Sequence, residues 1–125
     1  MLAGLVNQEP IRASTLEALQ AYWPVLNGFA DYIIASLPDP GDQLCTDDFE
    51  GPSPHNANLA AKGIVALAAW SSVLNTTGSL DFHADVLRYA AAAKTFAGNW
   101  TSLALAESGD HYKMAYDDAS SWSLK

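Results

Sequence analysis

Basic residues are scarce in this sequence, which has six Lys and Arg against 14 Asp and Glu and a net charge of −8. The imbalance is concentrated in residues 1–50, where Arg12 is the one base among eight acids. Such a surface repels phosphate backbones and polyanionic membranes, and no stretch of bases interleaved with aromatic residues offsets it. We therefore expect neither nucleic acid nor a membrane as a partner.

Cysteine is nearly absent as well, and the single Cys45 excludes an intrachain disulfide. Long apolar runs are missing too, since the longest, residues 59–74, contains Lys62 and is short for a membrane span. The N-terminal MLAGLV has no basic residue and is too short for the apolar region of a secretory signal. Because half of the residues are apolar, the chain is nevertheless predicted to fold around one core.

Strand patterns are also lacking, and apolar residues recur instead at helical spacing. A first helix is predicted over about 14–37, with Ser14 and Glu17 in the positions of a capping box and Pro38 just after its end. Pro24 is expected to kink or restart it. The apolar face of this helix comprises Leu16, Leu19, Trp23, Leu26, Phe29 or Ala30, Ile33 and Leu37.

Two further helices are predicted over about 59–74 and 80–105. Asn56 or Asn58 is expected to cap the former, and Ser79 the latter. Between the first two helices lies a polar loop, 38–58. The third helix carries on one face Phe82, Val86, Tyr89, Ala93, Phe96, Trp100 and Leu103.

The predicted fold class is all-α, built of antiparallel helical hairpins. Helix 59–74 is apolar on most faces, which is typical of a helix with neighbours on several sides. Three helices supply few such neighbours. The chain is therefore expected either to associate with itself or to form part of something larger.

Several motifs resemble, in their order along the chain, the central helical domain of fungal and bacterial glutaminase A-type proteins. The resemblance extends from about Leu16 to Lys125 and is most specific at Thr46-Asp47-Asp48-Phe49 followed by Asn58-Leu59. The other motifs that carry it are YWPVL (22–26), DPGDQLC (39–45), HNANLAAKGIVAL (55–67), HYKMAYD (111–117) and SWSLK (121–125).

This resemblance implies a six-hairpin (α/α)6 toroid, the architecture of many glycoside hydrolases, of which the chain would be a partial segment. It also implies a secreted or periplasmic parent that hydrolyses the side-chain amide of glutamine to glutamate and ammonia. Two N-glycosylation sequons, at Asn75 and Asn99, agree with secretion. In such a toroid the loops at one end surround the cleft, so the loop 38–58 is expected to line it.

Amide hydrolysis needs a base, an acid for the leaving ammonia and donors for the oxyanion. Asp47 and Asp48 are candidates for the carboxylate pair, with His55 as their catalytic partner in proton transfer. Asn56 and Asn58 are candidates for substrate hydrogen bonds. Lys62 is the candidate cation for the α-carboxylate of a glutamine substrate.

Structural roles are open for the same residues. Asp47 and Asp48 could satisfy backbone donors of an irregular loop, and His55 could do the same. Asn58 suits an N-cap better than a ligand contact. The loop lacks the spacing of a calcium site, and the histidines lack zinc spacing, so neither a metal nor another cofactor is expected.

Two functions follow from these observations. The first is a segment of a glutaminase A-like amidohydrolase that is inactive as an isolated chain. The alternative is a small non-catalytic interaction protein that associates with itself. In either case the expected partner is a second copy or the remainder of a toroid, with a small amide as the substrate of the first.

Overall fold

The computed structural model describes residues 13–44 and 51–122. Within these ranges the chain is helical and has no strand beyond isolated bridges, which confirms the all-α prediction. The elements are α1 (Ala13–Ser36), α2 (Ala57–Thr76), a 3-10 turn (Leu80–Phe82) and α3 (His83–Ala104).

The first helix does not begin at the predicted cap, and it does not restart at Pro24. It already includes Ala13, so Ser14 lies inside the helix and is not its N-cap. It also continues through Pro24, although proline removes one backbone donor. The adjacent Trp23 is buried, and its ring lies 5.4 Å from that of Trp70, so tertiary packing supports this part of the helix.

The second helix begins two residues before its predicted start because Asn56, rather than Asn58, is its N-cap. The side-chain oxygen of Asn56 accepts a hydrogen bond from the Leu59 amide at 2.8 Å. The helix ends at Thr76, and Gly78 then turns the chain with a φ of 66°. Positive φ is a conformation that glycine adopts without steric cost.

The core lies where the three helices meet, and it settles which residue of α1 faces inward. Ala30 is 4% exposed whereas Phe29 is 62% exposed, so the small residue occupies the packed position. Gly63 of α2 allows a similarly close approach, since a Cβ there would lie 3.2 Å from a methyl carbon of Leu37. The buried core residues are Leu19, Trp23, Ala30, Leu67, Trp70, Val73, Leu74, Tyr89 and Ala93.

One outward face of α1 is apolar, in contrast to the core side. Tyr22, Val25, Phe29 and Tyr32 follow one another at helical spacing and are between 54% and 65% exposed. We refer to these four residues as the aromatic stripe. A contiguous exposed apolar surface of this kind commonly marks a site of association.

Helix α1 ends, α2 begins and α3 ends on the same side of the molecule. The chain after α3 returns to the start of α2, where the Ala57 amide donates to the Met114 carbonyl at 2.9 Å. Trp100 of α3 also donates its indole N–H to the Ala57 carbonyl at 2.7 Å. We refer to residues 37–44, 51–56 and 105–122 together as the polar end.

The prediction that residues 59–74 are too short for a membrane span does not hold for the whole of α2, which extends over 20 residues and is the one described helix long and apolar enough to span a membrane. Its core face packs against α1 and α3 through buried Leu67, Trp70 and Leu74. A core helix of a soluble protein has the same composition, so this feature is weak evidence for a span. The expectation that no membrane is a partner stays a prediction.

Candidate functional site

His55 lies at the centre of the polar end and contacts the two other segments that form it. Its amide donates to the Gly41 carbonyl at 2.9 Å, and its carbonyl accepts from the Tyr116 amide at 3.0 Å. Its backbone has a φ of 53°, which is uncommon for a residue other than glycine. The imidazole is thus placed by main-chain bonds on both sides.

Asp39 binds one nitrogen of this ring. Nδ1 of His55 lies 2.9 and 2.8 Å from the two carboxylate oxygens of Asp39. The same carboxylate accepts a hydrogen bond from the Gly41 amide at 3.0 Å, which fixes its orientation. Because a carboxylate can only accept, Nδ1 carries the proton of this bond.

The other ring nitrogen faces a second carboxylate. Nε2 of His55 lies 3.9 Å from an oxygen of Asp117, which is too far for a hydrogen bond but close enough for charge attraction. The hydrogen bond to Asp39, followed by its charge and those of Asp117 and Asp42, raises the pKa of His55 above 6.5. This arrangement favours the protonated form of the imidazole over the neutral one.

Tyr116 adds a phenol to the same region. Its hydroxyl is buried and has no hydrogen-bond partner among the described residues. Burial, with a smaller effect of the Asp39 charge, raises the pKa of Tyr116 to about 12. The phenol therefore stays neutral, and its buried hydroxyl keeps its proton.

The two candidate asparagines have different surroundings. Asn56 is 5% exposed, and its amide group is occupied by the Leu59 amide and by Ser53, to which it donates at 2.9 Å. These bonds give Asn56 a structural role as the N-cap of α2. Asn58 lies in the first turn of that helix and is half-buried.

Lys62 lines an open cavity of about 290 Å³ beside the polar end. The cavity lies between the last turns of α1 and the first half of α2, and most of its wall is apolar. At its edge the Tyr32 hydroxyl donates to the Gln43 side chain at 3.1 Å. The lining residues are Tyr32, Ile33, Ser36, Leu37, Pro40, Gln43, Leu59, Lys62, Gly63 and Ala66.

Asp47 and Asp48, the predicted carboxylate pair, lie outside the described residues, as does Cys45. The residues on either side of this segment are described. Leu44 pairs with Pro52 in an antiparallel bridge, and the Ser53 amide donates to the Gln43 carbonyl at 3.1 Å. The described residues on both sides of this segment therefore belong to the polar end.

No group of three or more side chains suited to a metal ion is found in the parts of the chain that the structure describes.

Two further contacts order the C-terminal part of the described chain. The His111 and Trp122 rings stack with centroids 3.8 Å apart, and Ser121 accepts hydrogen bonds from the Met114 and Ala115 amides. These contacts hold the segment that carries Asp117.

The sequence predicts a role for His55 but does not indicate that Asp39, Asp117 and Tyr116 are its neighbours. Asp39 carries a local signal, because an aspartate two residues before a glycine commonly accepts the backbone bond seen here. Asp117 and Tyr116 lie in the HYKMAYD motif, where no local pattern points to His55. Only the return of the chain to the start of α2 brings them together.

Comparison with known proteins assigns the chain to a family. The profile of the Glutaminase A six helical-hairpin domain matches residues 2–125. No solved structure shows significant similarity to the chain.

Two similar proteins are fungal. Glutaminase A of Aspergillus oryzae (strain ATCC 42149 / RIB 40) is 31% identical over 107 residues, which is 84% of this chain and 15% of that protein. The "probable glutaminase" of Arthroderma benhamiae (strain ATCC MYA-4681 / CBS 112371) is 33% identical over 92 residues, 74% of this chain and 10% of that protein. The chain thus spans a small part of the length of these relatives. Because the family profile covers nearly all of it, the chain belongs to the glutaminase A six helical-hairpin domain family.

Proposed function

We propose that this chain is a segment of a secreted amidohydrolase that converts L-glutamine to L-glutamate and ammonia. The observation that carries the proposal is the His55 imidazole between two carboxylates at the loop end of helical hairpins. The names of the two relatives support glutamine as the substrate. They do not favour the alternative of a non-catalytic interaction protein.

The roles of the remaining candidates follow from this chemistry. Asp47 and Asp48 supply the carboxylates that activate water, with His55 completing the proton transfer. Asn58 and the Lys62 ammonium contact the amino-acid part of the substrate, the ammonium pairing with its carboxylate. Asn56 shapes the site through the N-cap bond that its side chain makes at the start of α2, rather than through contact with the substrate.

The isolated chain is proposed to be inactive because the cleft needs further hairpins. The matched region is 15% of the Aspergillus protein, so most of that protein lies outside it. The remaining hairpins would close a toroid around the polar end. Both sequon asparagines, Asn75 and Asn99, are exposed, which agrees with glycosylation in a secretory compartment.

The aromatic stripe is proposed as the surface by which the isolated chain forms a homodimer. In a complete toroid a neighbouring hairpin would cover it, and in the isolated chain a second copy would do so. Light scattering is expected to give twice the 13.3 kDa mass of the chain. A Tyr22→Ser/Phe29→Ser variant is expected to be monomeric. A monodisperse wild-type monomer would contradict this part of the proposal.

A chimera tests the enzymatic part. The matching segment of the Aspergillus oryzae glutaminase A is replaced by this chain, and ammonia release from L-glutamine is measured. We expect activity in the chimera, and a loss of about 10²–10⁴-fold in kcat in the His55→Ala and Asp47→Ala/Asp48→Ala variants. The isolated 125-residue chain is expected to release none.

The matched control is His83→Gln in the same chimera. His83 is exposed at the start of α3, away from the polar end, so its replacement is expected to leave activity unchanged. Circular dichroism establishes that each variant is folded. A folded chimera without activity, or a fully active His55→Ala variant, would refute the proposed function.

A further inference from the structure

The pair of carboxylates around His55 points to a specific role in the proposed reaction. Sequence alone left open whether His55 takes up a proton or gives one away. The structure adds that each of its ring nitrogens faces an aspartate, Asp39 at 2.8 Å and Asp117 at 3.9 Å. The two contacts differ in kind, and the difference assigns a task to each nitrogen.

Nδ1 is committed to Asp39. Both oxygens of that carboxylate lie within hydrogen-bond distance of it, and neither can donate. Gly41 holds the pair together, since its amide binds the carboxylate and its carbonyl binds the His55 amide. The Nδ1 proton is therefore not the one that moves in a reaction.

Nε2 is not committed. The distance of 3.9 Å to Asp117 exceeds a hydrogen bond, so a third group can approach the Nε2 proton from the solvent side. The imidazole is partly open there, with 38% of its side chain exposed, and Asp117 is 64% exposed. The main chain next to Asp117 is also bonded to His55, because the amide of the preceding Tyr116 donates to the His55 carbonyl.

We infer that His55 is the acid that protonates the leaving amide nitrogen through Nε2, that Asp39 is the positioning residue that holds its ring, and that Asp117 adds a negative charge on the Nε2 side. The inference rests on the proposed glutaminase function. As the C–N bond breaks, its electron pair stays with nitrogen, and the Nε2 proton completes ammonia. Water supplies the hydroxyl group to the carbonyl carbon, and the proton that the water gives up replaces the one that Nε2 has lost.

The charges around His55 agree with this role. Asp39 and Asp42 face it from the segment after α1, and Asp117 faces it from the segment after α3. Tyr116 is neutral, and the Lys113 ammonium donates to the Tyr116 carbonyl at 2.9 Å. Because the hydrogen bond and charge of Asp39 raise the pKa of His55, they favour the protonated ring, which suits an acid better than a base.

The test uses the full 125-residue chain with ¹⁵N-labelled histidine, whose ring nitrogens are followed by NMR against pH. In the wild type we expect a His55 pKa above 6.5 and a neutral ring that keeps its proton on Nδ1. Asp39→Ala is expected to lower the pKa and to abolish the preference for Nδ1. Asp39→Asn is expected to lower the pKa but to restore the Nδ1 proton, because its amide oxygen still accepts.

Two more variants complete the comparison. Asp117→Asn is expected to lower the His55 pKa less than Asp39→Asn does, since its oxygen is farther away, and to leave the tautomer unchanged. Asp110→Asn, beside His111, is the matched control and is expected to leave His55 unaltered. A neutral wild-type ring protonated on Nε2, or equal His55 titrations in Asp39→Asn and Asp110→Asn, would overturn the positioning role.

The acid role has its own readout in the chimera described above. Asp39→Asn is expected to shift the alkaline limb of the kcat profile to lower pH and to leave KM unchanged. A uniform loss of activity at every pH would instead indicate a structural effect and overturn the acid role. A folded wild-type chimera that releases no ammonia refutes the proposed function and with it the acid role, whereas the NMR result then still decides the positioning role.

Discussion

The polar end and the aromatic stripe are opposite cases of how this chain treats its surface. At the polar end, irregular backbone is satisfied within the chain by bonds such as those of His55 to Gly41 and Tyr116. Along the stripe, large apolar side chains remain 54% to 65% exposed. The comparison teaches that the main chain of the polar end is bonded within the chain, whereas the apolar surface of the stripe is suited to a partner.

The largest expected effect concerns the core that supports both regions. Leu67 is 0% exposed between the helices, so Leu67→Ala leaves a cavity and is expected to lower the free energy of unfolding by about 2–5 kcal/mol. Urea unfolding monitored by circular dichroism measures it. The control is Val65→Ala on the same helix. Val65 is 67% exposed, so its replacement is expected to change stability by less than about 0.5 kcal/mol. Equal effects would show that the buried face of α2 is not where the structure places it.

A partly buried polar contact between α1 and α3 is expected to come next. The Tyr89 hydroxyl donates to Asp31 at 3.1 Å and accepts from Arg88 at 2.8 Å, and burial with this bond raises the pKa of Tyr89 to about 12. Tyr89→Phe removes both bonds and is expected to cost about 1–2 kcal/mol in urea unfolding.

The control for Tyr89 lies on the aromatic stripe. Tyr32→Phe also removes a hydroxyl, but one that donates to Gln43 in an exposed position. It is expected to change stability by less than about 0.5 kcal/mol. A larger loss of stability in Tyr32→Phe than in Tyr89→Phe would mean that the exposed bond of Tyr32 contributes more than the partly buried bonds of Tyr89.

The start of α2 provides a smaller effect at the polar end. Asn56→Ala removes the N-cap bond to the Leu59 amide and is expected to cost about 1 kcal/mol. Asn58→Ala, two residues on in the first turn, is the matched comparison and is expected to be close to neutral. If Asn58→Ala proved the more costly of the two in thermal unfolding, the assignment of the N-cap to Asn56 would be wrong.

The smallest effect is the pH dependence contributed by His55. Because its folded pKa is raised above 6.5, its contribution to stability is fully present below that value and is lost as pH rises through the folded pKa. His55→Asn is the suitable variant, since asparagine tolerates a positive φ. The difference in urea midpoint between the wild type and His55→Asn is expected to shrink as pH rises. A difference that grows with pH would reverse the assigned sign.

Much of the fold was predictable because helices leave a periodic pattern. Leu19 and Trp23 of α1, and Tyr89 and Ala93 of α3, lie on the predicted apolar faces and are buried. The choice between Phe29 and Ala30 was not predictable, since both fit the period and only the space beside α2 decides. The start of α1 lies one residue from its prediction, but Ser14 is inside the helix and is not its N-cap, because a local capping pattern does not require that a helix begin there.

The candidate site was predictable in part. His55 stands out by residue type in a polar loop. The family of the chain is shown by the sequence comparison and not by the geometry around His55. Its partners were missed because Asp39 belongs to the segment after α1 and Asp117 to the segment after α3. Contacts between such distant residues depend on where helices end, which short-range patterns do not contain.

By itself, then, the sequence determined the helical class and the division into helices and a polar loop. Helical spacing, alanine content and prolines act over a few residues, so their effects can be predicted from the order of residues along the chain. Only the tertiary structure decided that Ala30 faces the core, that Asn56 caps α2 and that Asp39 and Asp117 flank His55. The physical reason is that these choices depend on packing and on hydrogen bonds between segments, whose free energy is set by the whole fold and not by neighbours along the chain.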